Sequence, residues 1–317
     1  MIFNNEEEHM LEEKIVVGNG SEFPLNGMLT IPGVGNAPFP AVVFVHGSGS
    51  SDMDSKAYAV RPFKDFAEGL AKHGIASIRH DKRSFVHARK MMKQKIMITV
   101  KEEAIEDALL AADILRNDSR IDSNRIFIAG ISMGGLLVPR IDEEGDNFAG
   151  LILLAAPARR LEVLMKEQME NPDLKKPGGL LGWIMKKQTN KLFAKLDNLY
   201  EISDEEAKII TFMGGTTAFY FKDMGRKQAR NYLEGKTKPI LIMHGDGDFQ
   251  VSTERDFNEY KRILKGHPDA TFKLYPGLNH LFMPVVCKGI KSPKEEYSKP
   301  QHVANYVIDD MASWIKK

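Results

Sequence analysis

Cysteine is nearly absent from this chain. Cys287 is the sole thiol in 317 residues, so no intrachain disulfide can form and stability has to come from packing. A single thiol fits a reducing compartment and reads as a small packed hydrophobe rather than as a reactive group. Long apolar runs are missing too: no stretch approaches the ~18 residues that a bilayer span needs. The start, Met1-Ile2-Phe3-Asn4-Asn5-Glu6-Glu7-Glu8, lacks a basic segment followed by an apolar one. A cytoplasmic protein with neither signal peptide nor membrane partner is therefore expected. Net charge is also close to nil: 44 basic residues face 43 acidic ones, for a formal +1. That gives no electrostatic reason to expect nucleic acid. Finally, there is no H-E-x-x-H, no Cys/His set with zinc spacing, no G-K-[ST] ending of a phosphate loop and no G-x-G-x-x-G. Neither a metal nor another cofactor is expected.

What is present is ordinary in bulk and patterned in detail. Hydrophobic residues make up 43% and charged residues 27%, and the length suits one large α/β domain carrying an insertion. Short apolar runs alternate with helix-like segments. Lys14–Val17 and Leu25–Ile31 predict a pair of strands joined by the turn chemistry of Phe23-Pro24-Leu25-Asn26-Gly27. Ala41-Val42-Val43-Phe44-Val45 is a continuous β-branched and aromatic run, as in a strand buried on both faces. Ile75–Ile78, Ile126–Ala129, Leu151–Ala155, Pro239–His244 and Ala270–Tyr275 predict further strands. Helical spacing appears at Phe63–Lys72, Lys101–Leu115, Glu254–Leu264 and His302–Lys317. Strands alternating with helices imply a mostly parallel sheet covered on both faces.

The stretch from Pro157 to Lys236 breaks that rhythm. It shows no buried strand, but helical patterns at Leu161–Met169, Leu181–Leu199 and Thr216–Leu233, and five methionines: Met165, Met169, Met185, Met213 and Met224. The expectation is a core of residues 1–156 and 237–317 with a helical lid over 157–236. In Leu181–Leu199, Leu181, Ile184, Met185, Leu192, Leu196 and Leu199 form one apolar face. Packing onto the core is its ordinary role, and lining an acyl or aromatic pocket is the sharper one. Lys175, Lys176, Lys186, Lys187, Lys191 and Lys195 read as a solvated helix face.

Acyl-transfer chemistry needs a nucleophile, a base, a group that orients the base, and donors for the developing oxyanion. Gly130-Ile131-Ser132-Met133-Gly134-Gly135 directly follows the run Arg125–Ala129. A G-x-S-x-G turn between strand and helix is the nucleophile elbow of α/β-hydrolases, with Ser132 as the nucleophile. The base candidate is His280, in the loop after the last strand, because a neutral imidazole can take and return the serine proton. The acid candidate is Asp248, just past the Pro239–His244 strand. Asp246, two residues closer to the strand, is its rival and more naturally closes the turn. Ser132, Asp248 and His280 follow the chain order of α/β-hydrolase triads. The backbone N–H of Met133 and that of Ser48, in His46-Gly47-Ser48-Gly49-Ser50, are the oxyanion candidates.

These segments resemble the α/β-hydrolases of the bacterial carboxylesterase and dienelactone-hydrolase-like branch, and within it the EstD-like esterases. The resemblance rests on His46-Gly47-Ser48-Gly49-Ser50-Ser51-Asp52-Met53-Asp54, on Asp81-Lys82-Arg83, and on the run from Gly130 to Ile141. It implies an α/β-hydrolase fold, a Ser132–Asp248–His280 triad, oxyanion donors at Ser48 and Met133, and a small-molecule ester as the partner. Met53 stands where Arg is usual in the first motif. Ser132 replaces the cysteine of true dienelactone hydrolases, so that narrower activity is not implied. Asp52, Asp54, Asp81 and Arg83 are expected to brace the loops around the site. The same triad serves acyl-CoA thioesters and peptides, and a decayed hydrolase could act as a binding module.

Overall fold

The computed structural model describes residues 10–145, 148–172, 193–212, 216–287 and 291–317, together with 174, 187, 190 and 289. Its strands are β1 (Leu11–Val17), β2 (Leu25–Ile31), β3 (Phe39–Val45), β4 (Ala76–His80), β5 (Ile121–Ile131), β6 (Gly150–Leu154), β7 (Ile240–Gly245) and β8 (Ala270–Tyr275). They form one eight-stranded sheet in the order β1-β2-β4-β3-β5-β6-β7-β8. The β1–β2 and β2–β4 pairs are antiparallel, and the strands from β4 to β8 run parallel.

The inner strands read as continuous apolar runs because both of their faces are buried. Val43, Val45, Ile128, Leu153 and Ile242 point into one core, shared with the helices Glu106–Arg116 and Met133–Gly145. Their neighbours Val42, Phe44, Ala129, Ile152 and Leu241 point into the other, under the helices Pro62–Lys72 and Asn305–Ile315. Side chains alternate across a strand, so one run feeds both layers.

Several elements are longer or more broken than the sequence predicts. β1 begins at Leu11 rather than Lys14, because its charged residues are used: Glu12 accepts from Arg79 and Glu13 from Arg120. β5 begins at Ile121, and its polar first half pairs through a register shift against Phe39 and Ala41. The expected helix over Lys101–Leu115 opens in a wide π-type turn, Lys101–Ile105, before Glu106–Arg116. The Glu254–Leu264 helix likewise opens in such a turn, Thr253–Phe257.

Between β6 and β7 the described residues contain helices and no named strand: Leu161–Glu170, Asp204–Ile209, Ala218–Gly225 and Ala229–Leu233. The pattern over Thr216–Leu233 is thus two helices, the second starting after Gln228. Asp204–Ile209 was not expected, although Ser203 and Glu206 form a capping box. Leu196 and Leu199 are buried in the apolar core on the Met133–Gly145 side, along with Leu161, Tyr220, Phe221 and Leu233. Leu181, Ile184, Met185 and Leu192 lie outside the described residues. No helix among the described residues is long and apolar enough to cross a membrane.

Candidate active site

Ser132 occupies the turn between β5 and the helix Met133–Gly145 with φ +57°, a left-handed conformation that costs a non-glycine residue about 1–2 kcal/mol. The surroundings enforce it. The Ser132 amide donates to Leu154 O on β6 at 2.8 Å, and the Leu136 amide returns to Ser132 O at 3.1 Å. The neighbouring glycines are required by space. A Cβ on Gly130 would lie 2.6 Å from the Gly135 amide nitrogen, one on Gly134 would lie 2.6 Å from His46 O, and one on Gly135 would lie 2.6 Å from Ala156 Cβ. The turn is therefore pressed against both the β3 loop and the end of β6.

Asp248 and His280 come together from the loops after β7 and β8. His280 Nδ1 and Asp248 Oδ2 are 2.6 Å apart, and the Asp248 side chain is fully buried. Its other oxygen accepts the amides of Gln250 at 2.7 Å and Val251 at 3.0 Å. Burial pushes this carboxyl up, but the charge and hydrogen bond of His280, with help from His244 and the Val251 amide, outweigh it. The net result lies below the ordinary carboxylate range. Asp246 instead accepts the Gly277 amide at 2.6 Å and closes the turn.

Ser132 follows β5, two strands from β7, at the same C-terminal edge of the sheet. Ser132 Oγ and His280 Nε2 make no hydrogen bond to any described residue, so the structure joins the acid to the base but not the base to the serine. Such bonds are often long without substrate. Met133 begins the helix after Ser132, and its side chain is buried. Ser48 is exposed in the loop after β3. A Cβ added at the preceding Gly47 would lie 3.3 Å from Ser132 Cβ, so the two candidate oxyanion segments adjoin.

The loop-bracing acids are in contact with their loops. Asp81 Oδ1 accepts the Met53 amide at 2.9 Å, Asp52 accepts the Lys56 amide at 2.9 Å, and Asp54 pairs with Arg79 at 3.0 Å. Arg83 pairs with Asp107 and Glu106. Sequence reasoning missed three further residues. Lys82, 1% exposed, donates to Gly47 O at 2.8 Å and Gly49 O at 2.9 Å. Asn279, fully buried beside His280, accepts the amides of Leu281 and Met283 and donates to Glu296 at 2.7 Å. Glu296 in turn accepts the amides of Val286 and Cys287. The Asp81-Lys82-Arg83 motif draws attention to the segment but not to what Lys82 holds, and Glu296, sixteen residues after His280, carries no signal at all.

Burial also shapes His46, which opens the loop after β3. His46 packs against Phe63 and donates from Nε2 to His80 O at 2.6 Å. Desolvation, aided by His80 and Lys82, pushes its pKa down to about 3. In the unfolded chain it titrates near ~6.5. The unfolded state therefore binds the extra proton, and stability is lost as pH falls from about 6 toward 4. His46→Gln is expected to flatten that fall by about 1.4 kcal/mol per pH unit, measured by urea unfolding across the range.

With this geometry in place, comparison with known proteins defines the class. A family model described as serine aminopeptidase, S33, matches residues 36–284, and the chain belongs to that family. The chain is 36% identical over 306 residues to a protein named Esterase EstD from Thermotoga maritima, covering 96% of this chain and 68% of that one. Among solved structures, Est1E from Butyrivibrio proteoclasticus superposes with a TM-score of 0.56 at 18% identity, over 96% of this chain and 99% of that one. A form of Est1E with ferulic acid bound gives 0.58 at 18% identity, over 96% and 100%. An esterase of Pyrococcus furiosus gives 0.56 at 16% identity, over 97% and 90%. The fold is that of the α/β-hydrolases.

Proposed function

We propose that this protein hydrolyses carboxylic esters through an acyl-enzyme on Ser132. The carrying observation is the buried Asp248–His280 hydrogen bond at the sheet edge where the strained turn presents Ser132. Asp248 fixes the imidazole with its proton on Nδ1, which leaves the Nε2 lone pair free for a proton from Ser132. Ser132 Oγ attacks the ester carbon and His280 takes the hydroxyl proton. The carbonyl oxygen becomes an oxyanion, held by the amides of Ser48 and Met133. Collapse breaks the ester bond, and His280 gives its proton to the departing alcohol. Water then attacks the acyl-enzyme with His280 again as base; collapse breaks the acyl–Oγ bond, His280 returns the proton to Ser132 Oγ, and the acid leaves.

The likeness to Esterase EstD supports an ester as the substrate, and the acid-bound Est1E structure draws attention to aromatic acyl groups. The segment 157–236 forms the cap beside the acyl site in this reading. Its Tyr220 supports that placement, with Oη 3.5 Å from Met133 Sδ. The family description favours peptides as a second reading. A panel of p-nitrophenyl acetate, butyrate and ferulate esters against alanyl p-nitroanilide tests the proposal. The esters should be turned over far faster than the anilide, and a preference for the anilide would overturn the ester assignment.

A further inference from the structure

We propose that Lys82 is a positioning residue that aims the oxyanion hole, and that Glu103 and Tyr220 tie its placement to the segment between β6 and β7. The inference rests on the reading of Ser48 as an oxyanion donor.

A lysine is a costly side chain to bury, and this one is nearly sealed. It is compensated on three sides. Its Nζ donates to Gly47 O at 2.8 Å and Gly49 O at 2.9 Å, and pairs with Glu103 Oε1 at 3.0 Å. An ammonium has three donors, and all three are spent here.

The two carbonyls matter because of what lies across their peptide units. A trans peptide is planar, with its C=O and N–H pointing in opposite directions. The Gly47 carbonyl belongs to the same unit as the Ser48 N–H. Holding Gly47 O on Lys82 therefore turns the Ser48 N–H away from Lys82. Gly49 O does the same for the Ser50 N–H, so the loop is held by two successive grips. Gly47 sits against Ser132, which puts this oriented N–H beside the nucleophile. Glycine-flanked backbone has many alternative conformations, and without the grip the loop would have to find the productive one on each turnover.

Glu103 extends the arrangement outward. Its second oxygen accepts from Tyr220 Oη at 2.5 Å, and Ser84 Oγ donates to the first at 3.3 Å. Tyr220 belongs to the helix Ala218–Gly225, between β6 and β7, and also touches Met133. One chain of contacts, Tyr220–Glu103–Lys82–Gly47, thus links that helix to the loop before one oxyanion donor, while Tyr220 rests on the residue bearing the other.

The experiment uses the full chain with p-nitrophenyl butyrate, and with an alkyl trifluoromethyl ketone, which forms a hemiketal with an active serine and so reads oxyanion binding directly. Lys82→Met should lower kcat by about 10- to 100-fold and weaken ketone inhibition by a similar factor, with KM changed less than about threefold. Lys82→Met/Glu103→Gln, which leaves no unpaired charge buried, carries the same readout should the single variant not fold. Tyr220→Phe should move kcat and ketone affinity in the same direction by a smaller factor. Unchanged kcat and ketone affinity in a folded Lys82 variant would overturn the positioning role, and the same result in Tyr220→Phe would overturn the tie to the helix. Ser132→Ala separates the two levels. If it retains the wild-type rate, the reading of the site itself fails. If it is inactive while the Lys82 variants are fully active, only the positioning proposal fails.

Discussion

Ser132→Ala is expected to lower kcat on p-nitrophenyl esters by at least about 10⁴-fold while leaving KM within a few-fold of wild type. The nucleophile forms the bond that the reaction passes through, so its loss removes transition-state stabilisation and not substrate binding. What remains is the catalysis that oxyanion donors and binding supply to a water molecule. Alanine keeps the β-carbon, so the turn at φ +57° and its amide bond to Leu154 O are undisturbed and the variant should fold. Intact-mass measurement after treatment with a fluorophosphonate makes the second check. Wild type should gain one adduct and Ser132→Ala none. An alanine variant that is still labelled would move the nucleophile elsewhere.

Asp248→Asn should cost about 10³- to 10⁴-fold in kcat with little change in KM. The amide can still accept from Gln250 and Val251 through one oxygen. Its NH₂, however, would face His280 Nδ1 and donate to it, which places the imidazole proton on Nε2, where the serine proton has to go. Geometry is kept and the tautomer is lost. The variant should also separate from wild type in stability. Because the Asp248 carboxyl is held below its ordinary range, its ionised form stabilises the native state above about pH 4, and that stabilisation is lost as pH falls through the folded-state value. The gap in melting temperature between wild type and Asp248→Asn should therefore narrow in acid. An Asp248→Asn enzyme with wild-type kcat would return the role of acid to another residue.

Apolar strands were the most legible part of this chain. β2 and β8 fall on the residues expected, although neither is an unbroken apolar run: β2 carries Asn26 and Gly27, and β8 is for the most part only partly buried. The starts of β1 and β5 were not legible. Their polar residues are satisfied by partners far along the chain, such as Arg120 for Glu13, and local pattern carries no trace of that. In the site, reach along the loop favours Asp248 over Asp246, and the structure pairs Asp248 with His280 and Asp246 with the Gly277 amide. Lys82 could not be read as a loop holder. Lysine is ordinarily a surface residue, and only the fold shows that two backbone carbonyls and a carboxylate thirty-odd and twenty-one positions away surround it.

Among the described residues, the helices between β6 and β7 form no apolar cluster of their own. Their buried side chains join those of β3, β5 and β7 in one continuous cluster. Segments that fold as separate cassettes can be exchanged between relatives at their hinges, because each half brings its own interior. This one cannot be exchanged so freely. In the proposed reading, where this segment caps the acyl site, a change in its buried residues is also a change in the packing over the sheet. Substitutions in those buried residues therefore have to be ones that the Met133–Gly145 helix beneath can accommodate.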